Sequence, residues 1–151
     1  MNTRGNYPNT FYRVSLKAII RNDKNEVLLV KEQGSEWSLP GGGIDHGETY
    51  VEALARELKE EVAITEAFDA EITGIDTMFL ELKQAYLMWL VYAVTFTSPP
   101  RYGVGIDANE VAFVDPHSLK DSPHRSERLV YKWAVDQKYN PHYGKPIDIH
   151  D

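Results

Sequence analysis

The feature that most constrains this chain is a run of three glycines, Gly41 to Gly43, followed closely by a strongly patterned helix. Glycine weakens the interior of both helices and strands, so this run predicts irregular backbone. Thr49 and Glu52 form a T-x-x-E capping box, which places the start of the helix near Tyr50. The apolar pattern predicts that the helix ends at about Val62, so a glycine loop should lead into a single amphipathic helix.

Apolar and acidic residues fall on neighbouring stripes of this predicted helix. At about 100° per residue, the apolar side chains share one stripe, which we expect to face the core. Its members are Val51, Leu54, Ala55, Leu58 and Val62. Glu57, Glu60 and Glu61 lie together on a second stripe beside it.

The three glutamates repel one another in a bare protein. Each like-charge pair that Glu57 forms with Glu60 or Glu61 costs ~0.2–0.5 kcal/mol, and the helix dipole disfavours anions in the last turn by ~0.3–1 kcal/mol. A divalent cation would reverse both effects, and carboxylate oxygens suit Mg²⁺ and Mn²⁺. The alternative is a solvated acidic face, because Glu52, Arg56 and Glu60 also form an i,i+4 ladder.

The residues around this helix carry a longer motif. Gly42, Glu48 and the run Arg56–Ile64 follow the spacing G-x5-E-x7-R-E-U-x-E-E-x-G-U, in which U is a bulky apolar residue. Residues 42–64 therefore resemble the Nudix box, with one departure, because Ala63 stands where the family has glycine. Glycine suits a left-handed residue that ends a helix. Alanine in that conformation would cost ~1 kcal/mol, or the helix would end differently.

The resemblance implies one α/β domain over residues 1–151, an α/β/α sandwich with a mixed β-sheet. It implies that Mg²⁺, with Mn²⁺ as an alternative, is bound by Glu57, Glu60 and Glu61 together with the backbone carbonyl of Gly42. It also implies hydrolysis of a nucleoside diphosphate linked to another group. A nucleoside triphosphate is the favoured substrate, because Met78 to Leu82 lacks the residues that mark other subgroups. The alternative is a Nudix-like domain that senses a nucleotide without cleaving it.

Further roles follow from the same resemblance. Glu48 and Arg56 should form a buried structural pair that fixes the loop against the helix. The general base is left open among Glu57, Glu60 and Glu110, with Asp107 as a weaker candidate. Two substrate contacts are also predicted: Trp37 is the best candidate for stacking on a base, and Arg13 is one of several basic residues that could contact phosphate. The others are Lys17, Lys31, Arg101 and Arg125.

Composition excludes several classes of protein. The chain has no cysteine, which rules out disulfides and thiolate metal sites. The net charge is −7, whereas a protein that binds long nucleic acid usually has a basic surface. A small nucleotide-like diphosphate remains compatible with this charge as a ligand. We find no apolar run long enough to span a membrane and no signal peptide, so we expect a cytoplasmic protein. A homodimer is left open.

The remaining elements are predicted from composition and periodicity. We expect strands at Tyr12–Arg21, Glu26–Lys31, Ala85–Thr97 and Glu110–Val114. The first two should form a hairpin across the polar turn at residues 22–25. A second amphipathic helix is expected at Glu127–Gln137, followed by an irregular tail over residues 138–151.

Overall fold

The structure, a computed structural model, describes residues 12–81 and 84–136. Its strands are β1 (Tyr12–Ile19), β2 (Val27–Lys31), β3 (Gly41–Gly43), β4 (Asp69–Leu80), β5 (Ala85–Thr95) and β6 (Glu110–Val114). Its α-helices are α1 (Tyr50–Val62) and α2 (Arg125–Ala134), and a 3₁₀ helix spans Pro116–Leu119. The tail predicted over residues 138–151, and Gln137 at the end of the second helix, lie outside the described residues.

The strands form two sheets. The larger one has the order β3-β1-β5-β4, in which β1 and β5 are parallel and the other pairs are antiparallel. The smaller one pairs β2 with β6. The mixed sheet and the α/β class are therefore as the sequence predicted.

The predicted hairpin of β1 and β2 forms only beside its turn. The chain does turn back, with a bridge between Arg21 and Val27 and a hydrogen bond from the Leu28 N–H to the Ile20 carbonyl. The two strands then separate, and β1 pairs with β5 while β2 pairs with β6. Because apolar residues cover both faces of β2, their pattern carries no information on which sheet it joins.

Alternate residues of β1 and β2 pack into two cores on opposite faces. One core joins Leu16, Ala18, Leu28 and Val30 to Leu54, Leu58 and Val62 of α1. The other joins Ile19, Val27 and Leu29 to Val130 of α2. Because side chains alternate across a strand, α1 and α2 cover opposite sides, which completes an α/β/α sandwich.

Helix α1 begins with the predicted capping box between Thr49 and Glu52. Its buried side differs from the predicted stripe, because Val51 is 45% exposed and Ala55 is also exposed. Ala53 and Glu61 are buried instead. The helix packs against the glycine strand β3, which has no side chains to hold it away, and this rotates the buried face toward the acidic side.

The end of α1 takes the left-handed form. Ala63 has φ 54° and ψ 30°, and its N–H donates to the carbonyl of Leu58. The N–H of Ile64 donates to the same oxygen. Of the two outcomes left open above, the chain therefore places alanine in a conformation that normally favours glycine.

The glycine run is a strand, which corrects the expectation of irregular backbone. Gly41, Gly42 and Gly43 pair antiparallel with Lys17, Leu16 and Ser15 at the edge of the larger sheet. Gly41 has φ +140°, and a Cβ there would overlap the carbonyl oxygen of Leu16. The strand exists because glycine permits this close approach.

Candidate active site

A polar cleft of about 700 Å³ lies beside the C-terminal half of α1. Its helical wall carries Glu57, Glu60 and Glu61, and the glycine strand contributes Gly41 and Gly42. The predicted metal-binding residues are thus brought to one cleft, because residues three and four apart share a helix face.

Glu61 is the most buried of these carboxylates, with only 2% of its surface exposed. Its Oε1 accepts a hydrogen bond of 2.9 Å from the backbone N–H of Gly41. Its Oε2 is buried and has no hydrogen-bond partner. A buried carboxylate oxygen without a hydrogen-bond donor is costly, so Oε2 of Glu61 is a candidate ligand for a cation.

The electrostatics of Glu61 lead to the same conclusion. Burial raises the pKa of Glu61, the neighbouring carboxyls of Glu32 and Glu57 add to the shift, and together they bring the pKa to about 10. The nearby ammonium group of Lys17 acts in the opposite direction but does not outweigh them. In the absence of a cation, this carboxyl is therefore held in its neutral form at pH 7.

Glu57 lies directly over the glycine strand. A Cβ on Gly42 would stand 2.5 Å from Oε1 of Glu57, so a side chain at this position would displace the carboxylate. The same oxygen accepts a 2.9 Å hydrogen bond from Nη1 of Arg56, which also lies 3.5 Å from Oε2 of Glu60. Arg56 thus partly neutralises the acidic cluster from one side.

Arg56 also ties the loop to the helix. Its Nε and Nη2 donate to both oxygens of Glu48 at 2.9 and 3.0 Å, and Nη2 donates to the carbonyl of Gly43 at 3.1 Å. The paired guanidinium lowers the pKa of Glu48 and raises that of Arg56. The predicted pair is formed, although it is partly exposed rather than buried.

Two of the basic residues considered for phosphate contact line the cleft. Arg13 and Lys17 both extend from β1 into its lining, whereas Lys31, Arg101 and Arg125 lie elsewhere. The guanidinium of Arg13 lies over Gly43, and Nζ of Lys17 donates to the carbonyl of Leu39 at 3.2 Å. Positively charged side chains therefore line the cleft together with the glutamates.

Two predicted residues lie outside the cleft lining. Glu110 begins β6 and pairs with Lys31 at 3.1 Å. Trp37 packs against the core beneath α2, and Nζ of Lys31 lies 4.4 Å from the centre of its ring. The base role of Glu110 and the stacking role of Trp37 thus have no support from the lining of the cleft.

Two acidic residues that the motif does not contain do line the cleft. Glu32 follows β2, and Asp107 belongs to the loop before β6. From the sequence, Asp107 was a weaker candidate for the general base than Glu110, and no role was predicted for Glu32. In the sequence, each is marked only as a carboxylate close to the end of a strand. The pairing of β2 with β6, which are far apart along the chain, places both residues at the cleft.

The residues present fit a divalent cation. The partnerless Oε2 of Glu61, the adjoining carboxylates and the glycine strand form an oxygen-rich, anionic cradle. Within the described ranges, no three acidic or histidine side chains already converge as a finished cation site. Arg56 pairs with Oε1 of Glu57 and Gly41 with Oε1 of Glu61, which leaves Oε2 of Glu61 as the buried oxygen without a partner.

No helix in residues 12–81 and 84–136 is long and apolar enough to cross a membrane.

Comparisons with known proteins agree with the fold. The chain is similar to the MutT protein from Methanosarcina mazei Go1, with a TM-score of 0.68 and 23% identity over 87% of this chain and 99% of that one. It is also similar to the MutT NUDIX hydrolase from Burkholderia pseudomallei, with a TM-score of 0.64 and 23% identity over 82% and 98%.

Curated relatives match a shorter region. The chain is 47% identical over 55 residues to the RNA pyrophosphohydrolase of Ruthia magnifica subsp. Calyptogena magnifica, covering 36% of this chain and 31% of that protein. It is 38% identical over 73 residues to the RNA pyrophosphohydrolase of Vibrio atlanticus (strain LGP32), covering 48% and 42%. These alignments span less than half of either relative.

The family model described as NUDIX domain matches residues 11–134. This range is most of the chain and includes every residue that lines the cleft. The chain belongs to the Nudix domain family.

Proposed function

We propose that this protein is a divalent-metal-dependent pyrophosphohydrolase that cleaves a nucleoside diphosphate linked to another group. The observation that carries the proposal is the buried Oε2 of Glu61, which has no partner and adjoins other carboxylates. A solvated acidic face would leave that oxygen in water. Mg²⁺ is the proposed metal and Mn²⁺ an alternative, because both prefer carboxylate oxygens.

The side chains of the cleft would take different roles. Glu57, Glu60 and Glu61 would hold the cation, with the carbonyl of Gly42 beside them. When bound, the cation would neutralise phosphate oxygens and lower the pKa of a bound water. Arg13 and Lys17 would bind the phosphate oxygens that the cation leaves uncovered.

Proton removal from the attacking water falls to a carboxylate of the same cleft. Glu57 and Glu60 both line it, and Nη1 of Arg56 lies 2.9 Å from Oε1 of Glu57 and 3.5 Å from Oε2 of Glu60. Glu110 is a less suitable base because it lies outside the lining of the cleft. We therefore assign the base role to Glu57 or Glu60.

The first substrate class to test is a nucleoside triphosphate. The second is a 5′-triphosphate RNA end, because the relatives from Ruthia and Vibrio are named RNA pyrophosphohydrolase. A short RNA end presents the same phosphate chain, and the net charge of −7 disfavours only an extended polyanion. Both classes place a diphosphate against the same acidic cleft.

The experiment detects cleavage of a panel containing nucleoside triphosphates, ADP-ribose and a short 5′-triphosphate RNA. Phosphate or pyrophosphate release reports cleavage of the triphosphates and the RNA, whereas AMP and ribose 5-phosphate report cleavage of ADP-ribose. Each substrate is tested with Mg²⁺ and with EDTA. Glu57→Gln is the test variant and Glu71→Gln, on the exposed surface of β4, is the charge-matched control. We expect metal-dependent turnover that Glu57→Gln lowers roughly 100-fold and Glu71→Gln leaves unchanged. Tight nucleotide binding without any turnover would instead favour the alternative, a Nudix-like domain that senses a nucleotide without cleaving it.

A further inference from the structure

Residues 103–107, here called the capping segment, lie along the C-terminal end of α1. The N–H groups of Gly103, Gly105 and Asp107 donate to carbonyl oxygens of the last helical turn. Their acceptors are Val62 at 2.9 Å, Glu61 at 3.0 Å and Glu60 at 2.9 Å, respectively. Alternate residues of one short segment thus bind three consecutive carbonyls of the helix.

This contact compensates for an unfavourable helix end. The last carbonyls of an α-helix have no partner within the helix, and together they carry a partial negative charge. Here that charge adds to the repulsion between Glu60 and Glu61. By supplying three N–H donors, the capping segment fixes the backbone from which both carboxylates extend into the cleft.

Gly105 is the residue that allows this approach. A Cβ at Gly105 would overlap the carbonyl group of Glu60 and lie 2.8 Å from the carbonyl carbon of Glu61. The φ of Gly105 lies outside the left-handed region, so the requirement is for space rather than for an unusual backbone conformation. A Cβ at Gly103 would meet nothing within 4 Å.

The chain beyond Gly105 also reaches the opposite wall of the cleft. Ile106 and Asp107 line the cleft directly. The N–H of Asn109 then donates to the carbonyl of Lys31 at 2.7 Å, which anchors the loop to β2. The loop is therefore held at the helix on one side and at β2 on the other, so a displacement at Gly105 changes the spacing of the two walls.

We propose that Gly105 is a positioning residue for the metal-binding glutamates, an inference that rests on the function proposed above. Its missing side chain lets the capping segment hold the last turn of α1 beside Asp107 and Glu32, which line the same cleft. Gly105 itself touches neither cation nor substrate.

The test compares Gly105→Ala with Gly103→Ala, which adds the same methyl group to the same segment without a clash. Three quantities are measured on each full-length protein: the melting temperature in EDTA, Mn²⁺ affinity by electron paramagnetic resonance, and kcat and KM. We expect Gly105→Ala to weaken Mn²⁺ binding roughly tenfold or more and to lower kcat more than it raises KM. Gly103→Ala should stay within about twofold of the wild type in Mn²⁺ affinity and kcat.

Equal Mn²⁺ affinities for the two folded variants would overturn the inference. This outcome is distinct from failure of the proposed function, which would appear as absence of turnover by the wild type. A lower melting temperature of Gly105→Ala with unchanged Mn²⁺ affinity would show that Gly105 contributes only to stability. That result would also overturn the inference.

Amide hydrogen exchange on the wild-type protein covers the case in which Gly105→Ala does not fold. The amides of Gly105 and Asp107 should exchange more slowly than those of Val104 and Ile106, and Mn²⁺ should slow them further. Equal exchange across the four amides, or no response to Mn²⁺, would contradict the positioning role.

Discussion

The backbone N–H of Gly41 donates to Oε1 of Glu61 at 2.9 Å and so joins the edge strand β3 to the last turn of α1. Gly41 can take this place because its φ of +140° and its contact with Leu16 exclude any side chain. The carbonyl of Glu61 is held from the other direction by the N–H of Gly105. Glu61 is therefore fixed between two glycines, with one carboxylate oxygen left without a partner.

The first prediction concerns Glu61→Gln without metal. The pKa of Glu61 is raised to about 10, so in the folded state the group keeps a proton that the unfolded chain loses above its usual pKa of 4.5. The group therefore lowers the free energy of unfolding progressively as pH rises from 4.5 towards 10. In EDTA at pH 8, Glu61→Gln should melt a few degrees above the wild type.

The same variant should lose this advantage when metal is present. With Mg²⁺, the wild type should gain stability through binding, and Glu61→Gln should gain much less. Thermal melts with EDTA and with Mg²⁺ measure both effects, and Glu71→Gln serves as the control for lost charge. A Glu61→Gln variant that is less stable than the wild type in EDTA would contradict the account.

The second prediction concerns Gly42→Ala. Its new Cβ would stand 2.5 Å from Oε1 of Glu57, the far end of a flexible side chain, which can move aside. We expect kcat/KM to fall roughly 10- to 100-fold, with a small change in melting temperature. Gly103→Ala is the control, because it adds the same methyl group at a position where a Cβ would meet nothing within 4 Å. Equal losses of kcat in the two variants would be inconsistent with a specific role for Gly42.

The third prediction concerns the pH dependence of Glu48→Gln. Because Arg56 lowers the pKa of Glu48, the ionised pair contributes stability above the usual pKa of the carboxyl, and this contribution disappears as pH falls through the lowered value. Denaturant titrations should show the wild type more stable than Glu48→Gln at pH 7. The difference should vanish towards pH 3, and a constant difference from pH 7 to pH 3 would argue against the ion pair as its source.

The fourth prediction concerns Ala63→Gly. Ala63 is exposed and left-handed, with φ 54°, so glycine would relieve strain without removing packing. The gain is partly offset by the greater freedom of glycine in the unfolded chain. We expect a net stabilisation of up to about 1 kcal/mol, or roughly 2–4 °C in melting temperature. Turnover should not change, and a lower melting temperature would show that Ala63 is unstrained.

The local features of the fold could be predicted from the sequence because their signals are local. The capping box at Thr49, the limits of α1 and the grouping of Glu57, Glu60 and Glu61 depend on residues within a few turns of one another. The pairing of β1 with β2 beyond their turn was predicted wrongly, because a strand that is apolar on both faces gives no clue to its partners.

The distant walls of the cleft could not be predicted for a related reason. Glu32 and Asp107 meet α1 only because β2 pairs with β6 and the capping segment binds the helix end. The burial of Glu61 was also missed, since a helical wheel cannot show that a glycine strand lets one side of the helix approach closely. The burial that best supports a cation site is thus a tertiary property.

The most direct test of the account is Mn²⁺ binding to the purified protein, measured by electron paramagnetic resonance on the wild type, Glu61→Gln and Glu71→Gln. The account predicts that the wild type and Glu71→Gln bind Mn²⁺ with equal affinity and that Glu61→Gln binds it roughly tenfold more weakly or worse. Absence of Mn²⁺ binding to the folded wild type, or unchanged affinity in Glu61→Gln, would contradict the claim that these glutamates form a cation site.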